Sequence, residues 1–144
     1  MTDANQTGRF VWRDLMTTDP DTKEQFIFLH NVSDEELSWL YDHCLFSIYP
    51  SFYEGWGLPI AESIAHGKPC LASNTSSMPE IAGDLLTYFS PYSSDECLQA
   101  IVGLLDPRAR QKATTKIKKY RPVSWDQTFD QIRNGIVKAH GKDS

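Results

Sequence analysis

The chain has 144 residues, of which 40% are hydrophobic and 23% are charged, and its formal net charge is −5 at pH 7. These values are typical of one globular domain with a core of its own. The charges are interspersed, which excludes a basic stripe for nucleic acid and a polybasic segment for anionic lipid, and the polar first eight residues predict no signal peptide.

Three cysteines, Cys44, Cys70 and Cys97, are widely spaced and lie in apolar contexts. An odd number of separated cysteines favours buried, reduced thiols over a disulfide framework. Reduced thiols are usual in reducing compartments, so the sequence predicts a cytoplasmic protein.

In chain order, residues 1–22 are predicted to form a polar tail and one helix, and residues 23–144 the folded domain. The apolar run Gln25–Leu29 has the length of a strand. Ser33–Glu36 has the pattern of a capping box, which predicts a helix that continues to Cys44.

A second apolar run, Leu45–Tyr49, predicts a buried strand. A turn with two glycines follows, and the next helix is predicted to span Pro59–His66. Proline suits a first helical turn, where its missing N–H would have been unpaired. Gly67 is a typical helix stop.

The second half continues the alternation of strands and helices. Two further strands are predicted at Pro69–Ser73 and Leu86–Phe89. A short helix has a capping box at Ser77–Glu80, and a longer helix that ends at Pro107 has one at Ser93–Glu96. A polar helix is predicted over 108–120, and Ser124 is predicted to cap a last helix. In the last helix, Trp125, Phe129, Ile132 and Ile136 recur at the spacing of one apolar face, and Trp125 is expected to pack.

This alternation predicts an α/β fold, in which helices flank a Rossmann-like parallel sheet on both faces. Ligands of such sheets bind at the carboxyl ends of the strands. The glycine turn, the loop at Asn74 and the loop at Asn31 all follow predicted strands, so we expect them at one edge of the sheet.

The glycine turn itself predicts an anion site, because a strand, a tight turn and a free helix N-terminus present unpaired amides. Two carboxylates bracket it, Glu54 in the turn and Glu62 on the helix. Carboxylates are unfavourable beside an anion unless they bind something else, such as sugar hydroxyls. The combination indicates a sugar attached to a phosphate, although both acids could also be exposed side chains near a helix start.

Five sequence segments carry a family resemblance: Pro50-Ser-x-x-Glu-Gly-x-Gly-Leu-Pro59, Glu62, Ala65-His-Gly-Lys-Pro69, Ala72-Ser73 and Met78-Pro-Glu-Ile81. Together they resemble the C-terminal domain of retaining glycosyltransferases of the GT-B fold, in the group 1 class known as family four. The resemblance runs from about Phe26 to Ile136. It implies transfer of a sugar from a nucleotide-diphosphate donor to a hydroxyl acceptor with retention of configuration, and neither a metal nor another cofactor.

The resemblance also implies roles for individual residues. Glu62 would accept hydrogen bonds from the ribose hydroxyls, and Glu54, the candidate catalytic residue, would contact hydroxyls of the donor sugar. The amides of Gly57 and Leu58 would face the diphosphate, and Gly55 and Gly57 would leave space for its approach.

Three further positions are implied at the same cleft. Asn31 lies in the loop that would hold the base through main-chain contacts, and Asn74 and Thr75 would border the donor. Glu62 and His66 have the i, i+4 spacing of metal ligands, but with no third ligand the dipole-stabilised histidine at a helix end is preferred.

By the same resemblance the chain is part of a longer enzyme. Residues 23–144 would be an incomplete C-terminal, donor-binding domain, and the missing N-terminal domain would bind the acceptor. We therefore expect the chain alone not to turn over. Lipid-linked or polysaccharide acceptors are common in the family, and with such an acceptor the parent would be a peripheral membrane enzyme. Two alternatives stay open: a non-catalytic Rossmann-like module that binds a nucleotide or a partner protein, and a nucleotide-sugar epimerase of the same fold.

Overall fold

A computed structural model describes residues 25–122 and 124–140 of the chain. The chain divides into two compact units, residues 1–34 and 35–144. The predicted tail and helix in residues 1–22 lie outside the described residues. Within the described ranges, no helix is both long and apolar enough to traverse a bilayer.

In the first unit, the strand predicted over Gln25–Leu29 is wrong. The segment begins in a turn and continues as irregular chain, in which the rings of Phe26 and Phe28 stack with centroids 6.3 Å apart. An apolar run of strand length becomes a strand only when a neighbour pairs with its amides and carbonyls, and a single segment does not reveal its neighbour. The following loop places Asn31 in the left-handed region, at φ 54°.

From Asp34 onward, helices and strands alternate. The elements are α1 (Asp34–His43), β1 (Ser47–Tyr49), α2 (Leu58–Ala65), β2 (Cys70–Ser73), α3 (Met78–Ala82), a 3₁₀ turn (Gly83–Leu85), β3 (Thr87–Phe89), α4 (Ser94–Leu105), α5 (Pro107–Ile117) and α6 (Trp125–His140). Each predicted helix and strand from residue 33 onward is present, within about three residues of its predicted bounds.

The strands form a parallel sheet in the order β1-β2-β3, with Ser47 opposite Cys70 and Leu71 opposite Thr87. This confirms the predicted α/β class. Consecutive parallel strands require crossover connections, so the turns after β1 and β2 lie at the same edge of the sheet.

Helices cover both faces of the sheet. Cys70 and Ala72 pack on one face with a cluster from α2, α3 and α5: Ile60, Ile64, Met78, Ala82 and Ile117. Leu71 points to the other face and packs with Phe89 and with Leu104 of α4. The alternation along β2 is that of a strand buried on both sides.

Local caps fix several helix starts. The Ser93 hydroxyl accepts a hydrogen bond from the Glu96 amide, but the Glu96 carboxylate accepts from the amide of Ser90 rather than closing the box on Ser93. Ser124 and Gln127 do close a reciprocal box at α6. Pro107 ends α4 as predicted and also begins α5, whose cap is the Asp106 carboxylate.

The apolar face predicted for α6 is not buried by the described residues. Phe129, Ile132 and Ile136 are each more than half exposed. The side chain of Trp125 lies outside the described set. Helical periodicity indicates that a face is apolar, but it does not supply the surface that covers it.

We expect Tyr88→Phe to leave the free energy of unfolding unchanged, or to raise it by up to about 1–2 kcal/mol. The Tyr88 hydroxyl is buried without a hydrogen-bond partner among the described residues, and burial raises the pKa of this phenol to about 12. An unpaired buried hydroxyl opposes folding, so its removal should not destabilise. Denaturant unfolding measures the difference, and a clear loss of stability would mean that the hydroxyl has a partner.

Candidate functional site

The predicted anion site is built where β1 passes through the glycine turn into α2. Gly57 is the N-cap of α2, in the left-handed region at φ 93°, and no side chain caps this end. Within the described residues, no carbonyl or side chain accepts a hydrogen bond from the amides of Gly57 or Leu58. Pro59 has no N–H to offer. Two amides at a helix N-terminus are therefore available to an anion.

The carboxylate of Glu54 is fixed by two hydroxyl groups. Its Oε1 accepts hydrogen bonds from the Tyr49 hydroxyl at 2.5 Å and from the Ser51 hydroxyl at 2.8 Å. These bonds, from Tyr49 first and then Ser51, lower the pKa of Glu54. Burial and the neighbouring Glu54 raise the pKa of Tyr49 to about 12, so this phenol is a neutral donor. Glu54 is thus an ionised acceptor.

Glu62 is held from helix α1. The Tyr41 hydroxyl lies 3.3 Å from Glu62 Oε2 and equally far from the Pro59 carbonyl oxygen. Burial first, and then the charge of Glu62, raises the pKa of Tyr41 to about 12. The half-buried carboxylate therefore sits next to a neutral donor.

His66, the i, i+4 neighbour of Glu62, is engaged elsewhere. Its Nδ1 lies 2.7 Å from Asp42 Oδ1, and its ring stacks on Tyr41 with centroids 5.3 Å apart. The hydrogen bond with His66 is the main cause of a lowered pKa for Asp42. Across residues 25–122 and 124–140, no group of three His, Cys, Asp or Glu side chains could hold a metal ion.

The loop after β2 donates hydrogen bonds to the backbone of the glycine turn. The hydroxyls of Ser76 and Ser77 donate to the Glu54 carbonyl oxygen at 2.8 and 3.0 Å, and that of Thr75 donates to the Phe52 carbonyl oxygen at 3.1 Å. The capping box predicted at Ser77 is therefore wrong, because a carbonyl of the turn takes the hydroxyl that would have capped α3.

A groove of about 510 Å³ lies between α2 and the segment around the end of α5. Residues of α2 form one wall, and the end of α5 with the segment after it forms the other: Leu58, Ala61, Glu62, Ile64 and Ala65, then Ile117, Lys118, Tyr120 and Pro122, with Trp56 at the same groove. The lining is mostly apolar, with few polar groups, which is typical of a small-molecule site.

The structure therefore places Leu58 and Glu62 in the lining of one groove, and it places Gly57 at the N-terminus of the helix that borders this groove. It places Glu54 in the turn that the loop of Asn74 and Thr75 supports. Asn74 is exposed, and its amide donates to the Phe89 carbonyl oxygen. The ligand contacts predicted for these residues and for Asn31 stay predictions.

Sequence reasoning missed the residues that hold the two acids. Tyr49 and Ser51 lie within five residues of Glu54, and a hydroxyl-rich strand end beside an acid could have indicated them. Tyr41 is 21 residues from Glu62, and no local pattern connects them.

Comparison with known proteins matches residues 13–121 to the family described as "Glycosyl transferases group 1". The chain is 37% identical over 116 residues to the O-antigen chain mannosyltransferase B of Escherichia coli, covering 78% of this chain and 30% of that protein. It is 34% identical over 125 residues to the O-antigen chain mannosyltransferase RfbU of Salmonella typhimurium, covering 86% and 35%.

A third relative is the MMP alpha-(1->4)-mannosyltransferase of Mycolicibacterium hassiacum, 36% identical over 78 residues, which covers 52% of this chain and 19% of that protein. The chain thus spans about a third or less of the length of the curated relatives that it matches.

Proposed function

Because this chain belongs to the glycosyl transferases group 1 family, we propose that it forms the donor-binding part of a glycosyltransferase. The donor is a nucleotide-diphosphate sugar, and the acceptor is a hydroxyl group. The observation that carries the proposal is the uncapped N-terminus of α2, where the amides of Gly57 and Leu58 are unpaired beside two fixed carboxylates.

The position proposed for the diphosphate follows from the charge at the start of α2. The unpaired amides and the helix dipole give the start of α2 a positive partial charge, which suits phosphate oxygens. In the transfer reaction negative charge accumulates on the leaving diphosphate, and fixed amide dipoles stabilise it without reorganising. The chemistry that this end of the sheet supports is therefore departure of a nucleoside diphosphate, part of whose developing negative charge the amides stabilise.

The roles proposed for the two carboxylates follow from the hydrogen bonds that they can accept. An ionised carboxylate has two oxygens and only accepts, so it suits a pair of neighbouring hydroxyls. Glu62 lines the groove beside α2, where it would take the ribose. Glu54 would take hydroxyls of the transferred sugar. The acceptor would attack the same face from which the diphosphate leaves, which retains the anomeric configuration.

The names of the relatives favour a particular sugar. All three are mannosyltransferases, and two are named for the O-antigen chain. We therefore propose mannose as the transferred sugar and a hydroxyl of a polysaccharide chain as the acceptor. The acceptor domain would come from the part of the enzyme outside this chain, since the match covers only about a third or less of each relative.

The test is a titration of the isotope-labelled chain with GDP, UDP and ADP. We expect one of them to shift the amide signals of Gly57, Leu58 and Glu62 in a saturable way. The matching nucleoside without phosphates is the control, and it should leave Gly57 and Leu58 unmoved. If no nucleoside diphosphate shifts these signals, the donor-binding role is wrong and a partner-binding module becomes the better account.

A further inference from the structure

The Glu54 carboxylate is held through one oxygen only. Both hydroxyl donors, from Tyr49 and Ser51, bond to Oε1. Among the described residues, no group donates a hydrogen bond to Oε2. A carboxylate with one oxygen saturated and the other unsaturated has a fixed orientation and an unused acceptor.

We infer that Tyr49 and Ser51 are positioning residues, which fix Glu54 through Oε1 and reserve Oε2 for a hydroxyl of the donor sugar. The inference rests on the proposed function and deepens it, since it concerns the sugar rather than the nucleotide. It makes Glu54 a selector for a donor sugar with a free hydroxyl at the position facing it.

The donors are themselves rigidly placed. Tyr49 is the last residue of β1, paired opposite Ala72, and its ring packs against the buried cluster beneath the sheet. Its carbonyl oxygen also lies 3.5 Å from the Ser73 hydroxyl. The sheet therefore fixes the position of the phenol oxygen, and the phenol fixes the acid.

The backbone of Glu54 is held independently of its side chain. Its carbonyl oxygen accepts from the hydroxyls of Ser76 and Ser77, and its amide lies 3.5 Å from the Ser76 oxygen. Removing the Tyr49 hydroxyl should therefore loosen the carboxylate, which keeps only its bond from Ser51, without displacing the turn. This separates a positioning effect from a general structural one.

Chemistry explains why fixed acceptors matter here. A sugar hydroxyl is bound selectively when the partner is an acceptor already aimed at it, since an unfixed side chain must lose rotamer freedom on binding.

The titratable neighbour of Glu54 on β1 is Tyr49. The turn itself contributes Ser51, and the loop after β2 contributes the hydroxyls of Thr75, Ser76 and Ser77, which leaves no charged side chain among the described contacts of the turn.

The experiment compares the affinity for a nucleoside diphosphate with that for its sugar conjugate. GDP with GDP-mannose and UDP with UDP-glucose are the probes, and the ratio of the two dissociation constants gives the gain due to the sugar. We expect Tyr49→Phe to reduce that gain by roughly two- to tenfold, the usual cost of immobilising one freed side chain on binding, and to leave the affinity for the diphosphate alone within about twofold. Ser51→Ala should act in the same direction.

Tyr88→Phe is the matched control, because it removes an equivalent hydroxyl from a tyrosine packed on the same cluster. It should change neither affinity. A second readout is independent of ligand: in a carbon-detected NMR titration from about pH 3.5 to 6.5, Tyr49→Phe should raise the pKa of Glu54 toward its usual value, since it removes the main cause of the lowering. Tyr88→Phe should not.

The outcomes separate the two proposals. If wild type binds a diphosphate but gains nothing from the sugar, or if Tyr49→Phe leaves the gain unchanged, the positioning role is wrong while the donor site stands. If Tyr49→Phe weakens diphosphate and sugar conjugate equally, or leaves the pKa of Glu54 where it was, the residue is structural and the inference is overturned. If wild type binds no diphosphate at all, the proposed function fails first.

Discussion

Replacing Glu62 with glutamine is expected to weaken nucleoside diphosphate binding by roughly ten- to a hundredfold. Hydrogen bonds to a charged group contribute about 1.5–3 kcal/mol, and each 1.4 kcal/mol corresponds to a factor of ten in affinity. Glutamine keeps the shape of the side chain and one carbonyl oxygen, but it loses the second acceptor for a ribose diol. Isothermal calorimetry or the amide titration measures the change.

The sign of the effect is informative, because Glu62 also adds negative charge near a site for an anion. If the carboxylate faced the diphosphate instead of the ribose, removing its charge would strengthen binding. Glu80→Gln is the matched control, since Glu80 is an exposed acid in the first turn of α3. It should leave the affinity unchanged. Unchanged or tighter binding by Glu62→Gln would contradict the ribose role.

Gly57→Ala is expected to destabilise the fold by about 2–5 kcal/mol. The left-handed backbone at φ 93° costs a residue with a Cβ about 1–2 kcal/mol. The new Cβ would lie 3.0 Å from Ile81 Cδ1 and 3.5 Å from Ile60 Cδ1, and overpacking a core costs about 1–3 kcal/mol. Denaturant unfolding measures the loss, which is a large part of the usual stability of a domain.

Gly55→Ala is the control, because a Cβ at Gly55 meets nothing within 4 Å and its φ is not in the left-handed region. We expect its stability to stay within about 0.5 kcal/mol of wild type. The two glycines of the turn thus differ: the fold requires Gly57, whereas only a ligand could require Gly55. Equal losses for both variants would contradict this distinction.

Much of the fold could be predicted from the sequence because its signals are local. Ser93 and Ser124 cap their helices through amides three residues away, and Gly67 stops α2 at φ 71°. The start of α2 was predicted within one residue, since Pro59 and the preceding glycine act on neighbouring backbone. Interactions between residues within one helical turn can be predicted from the sequence, because both partners lie in the same short segment.

The wrong predictions share a cause. Gln25–Leu29 has the composition of a strand but no sheet neighbour in the described chain, and Ser77 has the spacing of a capping box but bonds to the Glu54 carbonyl. In each case the residues have the local preference that the pattern indicates. The tertiary structure overrides that preference, because it decides which hydrogen-bonding groups lie nearby. The exposed face of α6 has a related cause. The pattern predicted a packed apolar face, but the described residues do not cover it.

The sequence alone determined the alternating helices and strands, the glycine turn between β1 and α2, and the presence of Glu54 and Glu62 on either side of it. Only the tertiary structure decided how those acids are held, through Tyr49 at the end of a paired strand and Tyr41 from a helix 21 residues away. The physical reason is range. Backbone geometry and capping act within one helical turn, whereas the orientation of a carboxylate depends on which donors the fold aims at it. Tyr41 is 21 residues from Glu62, and Tyr49 reaches Glu54 only because the turn folds back over the end of β1.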